Sequence, residues 1–176
     1  HKAIRRQRQM CIRDSLFIKL GLPVSKCIKG DLHMEKIASF TIDHLNHPAG
    51  IYLSRKDGDI YTYDVRICAP YRDKLLTDGE IHSLEHLLAT VLRNGAQKDN
   101  VIYVGPMGCR TGFYVLYRNL ELTEAQADII SAFQTVASYR GEMPGNTPSE
   151  CGNCKNLSVK KAKNAAELFL KRTQNP

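Results

Sequence analysis

His82-Ser83-Leu84-Glu85-His86 is the stretch of this sequence with the most chemistry in it. Residues four apart stand one turn above each other on a helix face, so the imidazoles of His82 and His86 can reach one metal ion. Glu85, one residue before the second histidine, is placed to act as a base on a metal-bound water or substrate. Such a pattern also occurs on solvated helices, but Leu84, Leu87 and Leu88 mark the neighbouring positions as buried. A tetrahedral catalytic site needs a third protein ligand and one open position. Glu150-Cys151-Gly152-Asn153-Cys154 offers two thiols. If both bind, the result is a closed Cys2His2 structural zinc; if one binds, the site stays open and reactive. Spacing alone favours neither.

Pro106-Met107-Gly108-Cys109-Arg110-Thr111-Gly112-Phe113-Tyr114 is a second constellation. Cys109 sits in a glycine-flanked turn beside the cation of Arg110, a setting that favours an ionised thiol. Such a thiol can shuttle protons or act as a nucleophile. A third cluster, Ser39-Phe40-Thr41-Ile42-Asp43-His44, reads by itself as a surface turn with Asp43 and His44 solvated.

The elements that must position these residues follow an α+β pattern. Residues 51–56 and 60–69 read as two strands around the hairpin turn Asp57-Gly58-Asp59. Alternation puts Tyr61, Tyr63, Val65 and Ile67 on one face of the second strand, and Asp64, Arg66 and Cys68 on the other. Thr77-Asp78-Gly79-Glu80 opens a helix that runs to Asn94-Gly95, with Ile81, Leu84, Leu88, Val91 and Leu92 at helical spacing. Residues 100–104 and 111–118 read as further strands. Leu122-Thr123 with Gln126 reads as a capping box for a helix to about Arg140, and Ser158 as the cap of a last helix from Val159 to about Lys171. The expected fold is therefore a small antiparallel sheet covered by about three helices, a two-layer sandwich.

Composition sets the outer bounds. The 176 residues are 43% hydrophobic and 24% charged, which suits one globular domain, and the formal charge is +7. Six of those charges belong to residues 1–33, with eight Lys/Arg against Asp14 and Asp31; residues 34–176 carry only +1. Residues 1–33 read as a basic N-terminal extension, disordered or non-native, with a basic targeting arm as the alternative and Met34 opening the domain 34–176. A near-neutral body argues against nucleic acid as a partner. No stretch approaches the ~18 apolar residues of a membrane span. Lys19 interrupts the one apolar run near the N-terminus and no small-x-small site follows it, so a secretory signal is not expected. Six cysteines are too sparse for a disulfide-stapled mini-domain, and a reducing, cytoplasmic setting is expected.

In order and spacing, five motifs resemble the S-ribosylhomocysteine lyase family, the autoinducer-2 production proteins (LuxS). They are Ser39-Phe40-x-x-Asp43-His44, Asp64-Val65-Arg66, Ile81 to Leu87, Pro106 to Tyr114, and Glu150-Cys151-Gly152. The resemblance covers Met34 to about Leu170. It implies metal ligation by His82, His86 and Cys151, with the fourth position left to water or substrate and Cys154 a bystander. Ferrous iron is the implied metal, with zinc or cobalt able to replace it. The implied reaction converts S-ribosylhomocysteine to homocysteine and 4,5-dihydroxy-2,3-pentanedione by carbonyl migration and β-elimination, with Glu85 and Cys109 as proton shuttles. Ser39, His44 and Arg66 match residues that line the substrate pocket from a neighbouring subunit, which implies a homodimer. Arg66, on the polar strand face, is compatible with reaching outward. Two positions depart from the family: Tyr103 stands where many members carry Asp, and Leu157 where a His is often found.

Two rival readings remain at this level. H-x-x-E-H is also the inverted-zincin peptidase motif, which would require a downstream Glu as third ligand. A structural-zinc module would use His82, His86, Cys151 and Cys154 together.

Overall fold

Gly58, at φ +61°, makes the turn that the Asp57-Gly58-Asp59 signal predicts. It joins strand β1 (Gly50–Asp57) to β2 (Ile60–Arg66), paired antiparallel from Asp57↔Ile60 to Gly50↔Arg66, with a shift in register between Leu53 and Arg55. The structure is a computed structural model that describes residues 35–37 and 40–174; Ser39 and the basic segment 1–33 lie outside the described residues. All elements belong to the second of the chain's two units, Lys36–Pro176.

Strands β3 (Val101–Pro106) and β4 (Gly112–Arg118) complete a four-stranded antiparallel sheet in the order β1-β2-β4-β3. One face packs against three helices, α1 (Asp78–Arg93), α2 (Leu122–Ser138) and α3 (Val159–Gln174). Tyr61, Tyr63, Val65, Phe113, Val115 and Tyr117 from the sheet meet Leu84, Leu88, Ile129, Phe133, Ala166 and Phe169 from the helices in one core. This is the expected two-layer α+β sandwich. The three core tyrosines each keep a partner for the phenol. Tyr61 donates to Glu121 Oε1 at 2.5 Å, Tyr63 to the Leu120 carbonyl at 2.5 Å and Tyr117 to Asp128 Oδ2 at 2.7 Å. Burial pushes the Tyr63 phenol up to about 12.

Three details differ from the sequence expectation. Strand β2 ends at Arg66, so alternation does not carry on to Cys68. That thiol is fully buried, donating to the Lys74 carbonyl and accepting from Arg172 Nη1. Helix α2 starts earlier than the expected box, with Glu121 at the N-cap and no side-chain cap; Thr123 falls inside the helix, and Gln126 Nε2 donates to the Ile51 carbonyl. Helix α3 runs to Gln174, beyond the expected Lys171; on this extra turn Arg172 donates to the Ile67 carbonyl and pairs with Asp73 at 3.1 Å. Among the described residues no helix is long and apolar enough to cross a membrane.

Helix α1 starts as the sequence requires. Thr77 Oγ1 accepts from the Glu80 N–H, and the Glu80 carboxylate accepts from the Thr77 N–H, a complete capping box. Replacing Thr77 with Ala should lower the unfolding free energy by about 1 kcal/mol, read as a lower urea midpoint at unchanged slope.

Candidate metal centre

Helix α1 is fixed in rotation by Ile81, Leu84, Leu87, Leu88 and Leu92, all buried in the core. His82, Glu85 and His86 are half-buried beside that stripe. The two imidazoles stand 4.8 Å apart between centroids with their planes at 85°, edge to face. Buried Ser83 lies between them; its hydroxyl donates to the Gly79 carbonyl at 2.5 Å and accepts from the Ser158 N–H at 2.9 Å. The start of α3, and with it the loop after α2, is thereby tied to the helix that carries the histidines.

That loop supplies what the helix cannot. Cys151 Sγ lies 3.4 Å from His82 Nε2 and accepts from the Asn153 N–H at 3.4 Å. His86 Nδ1 lies 2.8 Å from the Pro144 carbonyl. A carbonyl can only accept, so Nδ1 carries the hydrogen and Nε2 keeps a free lone pair. One nitrogen of each histidine and the Cys151 sulfur fall within 4.8 Å of one another, a grouping able to hold a metal ion. Imidazole and thiolate donors suit iron, zinc and cobalt alike. Cys154 opens a short 3₁₀ turn, Cys154–Asn156, and is not part of the grouping. Among the described residues the grouping has three members, and its third donor is a thiol rather than the Glu an inverted zincin needs.

Cys109 belongs to a different cluster. Its exposed thiol is 3.0 Å from Thr111 Oγ1, which accepts from Arg66 Nη1 at 2.5 Å. Arg66 is only 2% exposed, its guanidinium held by the buried carboxylate of Asp64. The sequence neighbour Arg110 turns instead to Asp78 at 3.2 Å. The cation linked to the thiol is thus Arg66, through one hydroxyl. A cavity of about 330 Å³ is lined by Cys109, Thr111, Arg66, His44, Tyr71 and Asp73 among others; none of His82, Glu85, His86 or Cys151 lines it. His44 is half-buried in a 3₁₀ turn, His44–Asn46, capped by the Asp43 carboxylate. The His47 ring lies 4.3 Å from that of Tyr52, tilted by 38°, and its Nε2 is 3.5 Å from Asp64 Oδ2. Burial depresses the proton affinity of the His47 imidazole below its ordinary value near 6.5, outweighing the attraction of Asp64.

Comparison with known proteins decides what this geometry belongs to. A profile described as S-ribosylhomocysteinase (LuxS) matches residues 37–176. The chain belongs to the LuxS family. It is 43% identical over 142 residues to the S-ribosylhomocysteine lyase of Finegoldia magna, covering 78% of this chain and 90% of that protein. It is 41% identical over 144 residues to the S-ribosylhomocysteine lyase of Porphyromonas gingivalis, covering 78% and 91%. With the enzyme of the same name from Borrelia garinii subsp. bavariensis the identity is 40% over 149 residues, covering 81% and 94%.

The two departures noted in this LuxS sequence fall outside both clusters. Tyr103 is 52% exposed on β3, and Leu157 packs partly buried against the core. Sequence reasoning missed three contributors: Asp64, Thr111 and the Pro144-Gly145 pair. The opposite charges two apart on one strand face could have flagged Asp64. Nothing in the spacing marks Pro144, which meets His86 across 58 residues.

Gly145 has φ +69°, and a Cβ there would lie 2.7 Å from His86 Nδ1. Gly145→Ala should therefore displace the imidazole and weaken metal binding by on the order of tenfold, measured by competition with a chelator. Acid should also tell. The unfolded chain takes up a proton on His47 near pH 6.5 while the folded chain resists it, so stability falls as pH drops below 6.5. In His47→Gln that acid-side loss should be shallower in urea titrations between about pH 6.5 and 5.

Proposed function

We propose that this chain is a metal-dependent carbon–sulfur lyase that splits S-ribosylhomocysteine into homocysteine and 4,5-dihydroxy-2,3-pentanedione, with residues 34–176 as its catalytic domain. The observation that carries this reading is the grouping of His82, His86 and Cys151 on a LuxS-family fold. These three residues would hold ferrous iron, or zinc or cobalt in its place. The bound ion supplies Lewis acidity at the sugar oxygens, which makes the neighbouring C–H bonds acidic.

The remaining work is proton movement by the chain's own residues. Glu85 and Cys109 take a proton from one sugar carbon and return one to its neighbour, so the carbonyl steps along the chain through enediols. Once the carbonyl lies β to the thioether, loss of a proton from the intervening carbon breaks the C–S bond. Homocysteine leaves as the thiol. No electrons are gained or lost overall. Arg66 and His44 line the cavity at Cys109 and are assigned to substrate binding, together with Ser39. A shuttle that works through a thiol needs a reducing compartment, and the cytoplasm is the proposed setting.

The two clusters also bear on assembly. Cys109 shares its cavity with Arg66 and His44, while Glu85 stands with the metal group on α1. This division supports a homodimer in which the Cys109 cluster of one subunit completes the metal centre of the other. Each active site then draws on both chains.

In anaerobic, iron-loaded protein, Glu85→Gln and Cys109→Ala should each reduce thiol release from S-ribosylhomocysteine by at least about a hundredfold while metal content stays the same. Near-normal turnover in either variant removes that residue from the proposed chemistry. Mixing the two inactive variants under subunit exchange should restore activity, since one site of the mixed dimer regains both groups. Continued inactivity of the mixture would place both groups on the same chain.

A further inference from the structure

We propose that Thr111 is a positioning residue for Cys109: its hydroxyl, held by the Arg66 guanidinium, donates the hydrogen bond that orients the thiolate for proton transfer. This rests on the reading of Cys109 as a proton carrier.

Donor and acceptor roles follow from the partners. A guanidinium only donates, so Arg66 Nη1 occupies a lone pair of Thr111 Oγ1 at 2.5 Å. The single hydroxyl proton is left to point at a sulfur. Cys109 Sγ is 3.0 Å away and the Met107 thioether 3.9 Å, so the thiol is the nearer partner. When the sulfur has given up its proton it can only accept, and Thr111 is the donor beside it. The proton stays on the hydroxyl throughout; the interaction aims the sulfur and transfers nothing.

Rigidity is the second part of the argument. Thr111 is 3% exposed, whereas the thiol it touches is solvent-accessible. Its carbonyl accepts from both the Ile67 and Cys68 N–H groups at 2.9 Å, which locks the residue to the end of β2. A β-branched side chain has few rotamers left once its backbone is fixed. Arg66 is itself clamped by Asp64, whose other near neighbour is His47. The line Asp64–Arg66–Thr111–Cys109 thus runs from a buried carboxylate to an exposed sulfur with no mobile link. Arg110, beside Cys109 in sequence, is engaged with Asp78.

The test compares Thr111→Val, which keeps the shape and loses the hydroxyl, with Thr111→Ser, which keeps the hydroxyl. The full-length iron-loaded protein is used. Two quantities are read: the rate of Cys109 alkylation by iodoacetamide at pH 7, followed by peptide mass mapping, and kcat and KM for S-ribosylhomocysteine. Val should slow alkylation and lower kcat by about tenfold each with KM unchanged, the size expected for one lost hydrogen bond to a charged group. Ser should stay within about twofold of the parent in both. If Val fails to fold, Thr111→Ala, which leaves room for water beside Arg66, takes its place with the same expectation. Parent-like alkylation in Val, or a loss in Ser as large as in Val, overturns the proposal. Alkylation does not depend on substrate, so a parent protein that releases no homocysteine would sink the lyase reading separately.

Discussion

The packing of helix α1 is the constraint on which the rest of the structure depends. Leu84, Leu87 and Leu88 are fully buried, and any rotation of the helix would drag them out of the core. Deleting one such side chain typically costs 2–5 kcal/mol. The core therefore fixes where the other positions of the helix point, and His82, Glu85 and His86 inherit their geometry from it. One turn of helix gives two imidazoles a shared target. The grouping takes its third donor from outside the helix. Cys151 comes from the loop after α2, which meets the helix through the Ser83–Ser158 and His86–Pro144 hydrogen bonds.

A second constraint sits at the end of the sheet. Asp64 and Arg66 are charged and almost wholly buried, an arrangement that seldom adds stability because desolvation offsets the attraction. Asp64 Oδ1, Arg66 Nε and His47 Nε2 have no hydrogen-bond partner among the described residues, which raises that cost further. What the pair does provide is direction. With Asp64 on one side and Thr111 on the other, the guanidinium is held in one place next to the Cys109 turn. The structure thus holds two separate clusters, one built on a helix and one on a hairpin, and the proposed reaction draws on both.

Much of this was legible in the residue order. Hydrophobic period 2 located β2, period 3.6 located α1, and Thr77 with Glu80 marked where that helix begins. The metal-binding grouping was legible because two of its members sit four apart, and helix geometry converts that spacing into proximity. Cys151 could not be chosen over Cys154 by spacing, since both lie in an irregular loop whose path depends on tertiary contacts. The links around Cys109 were hidden for the same reason. Adjacency suggested Arg110 as the cation at the thiol, but Arg110 has φ +61° and its guanidinium reaches Asp78, while Arg66 arrives across the β2–β4 pairing. The expected α2 capping box is missing because the helix begins one residue before Thr123 and Gln126 is drawn to the Ile51 carbonyl across the core.

Cys151, and not Cys154, is proposed to join the two histidines in an open three-ligand centre. Cobalt-loaded protein tests it most directly, because a thiolate bound to cobalt gives a near-ultraviolet charge-transfer band and an open position accepts an added ligand. Cys151→Ser should abolish the band, Cys154→Ser should keep it, and added cyanide should shift the visible spectrum of the parent protein. Loss of the band in Cys154→Ser, or indifference to cyanide, would overturn this assignment.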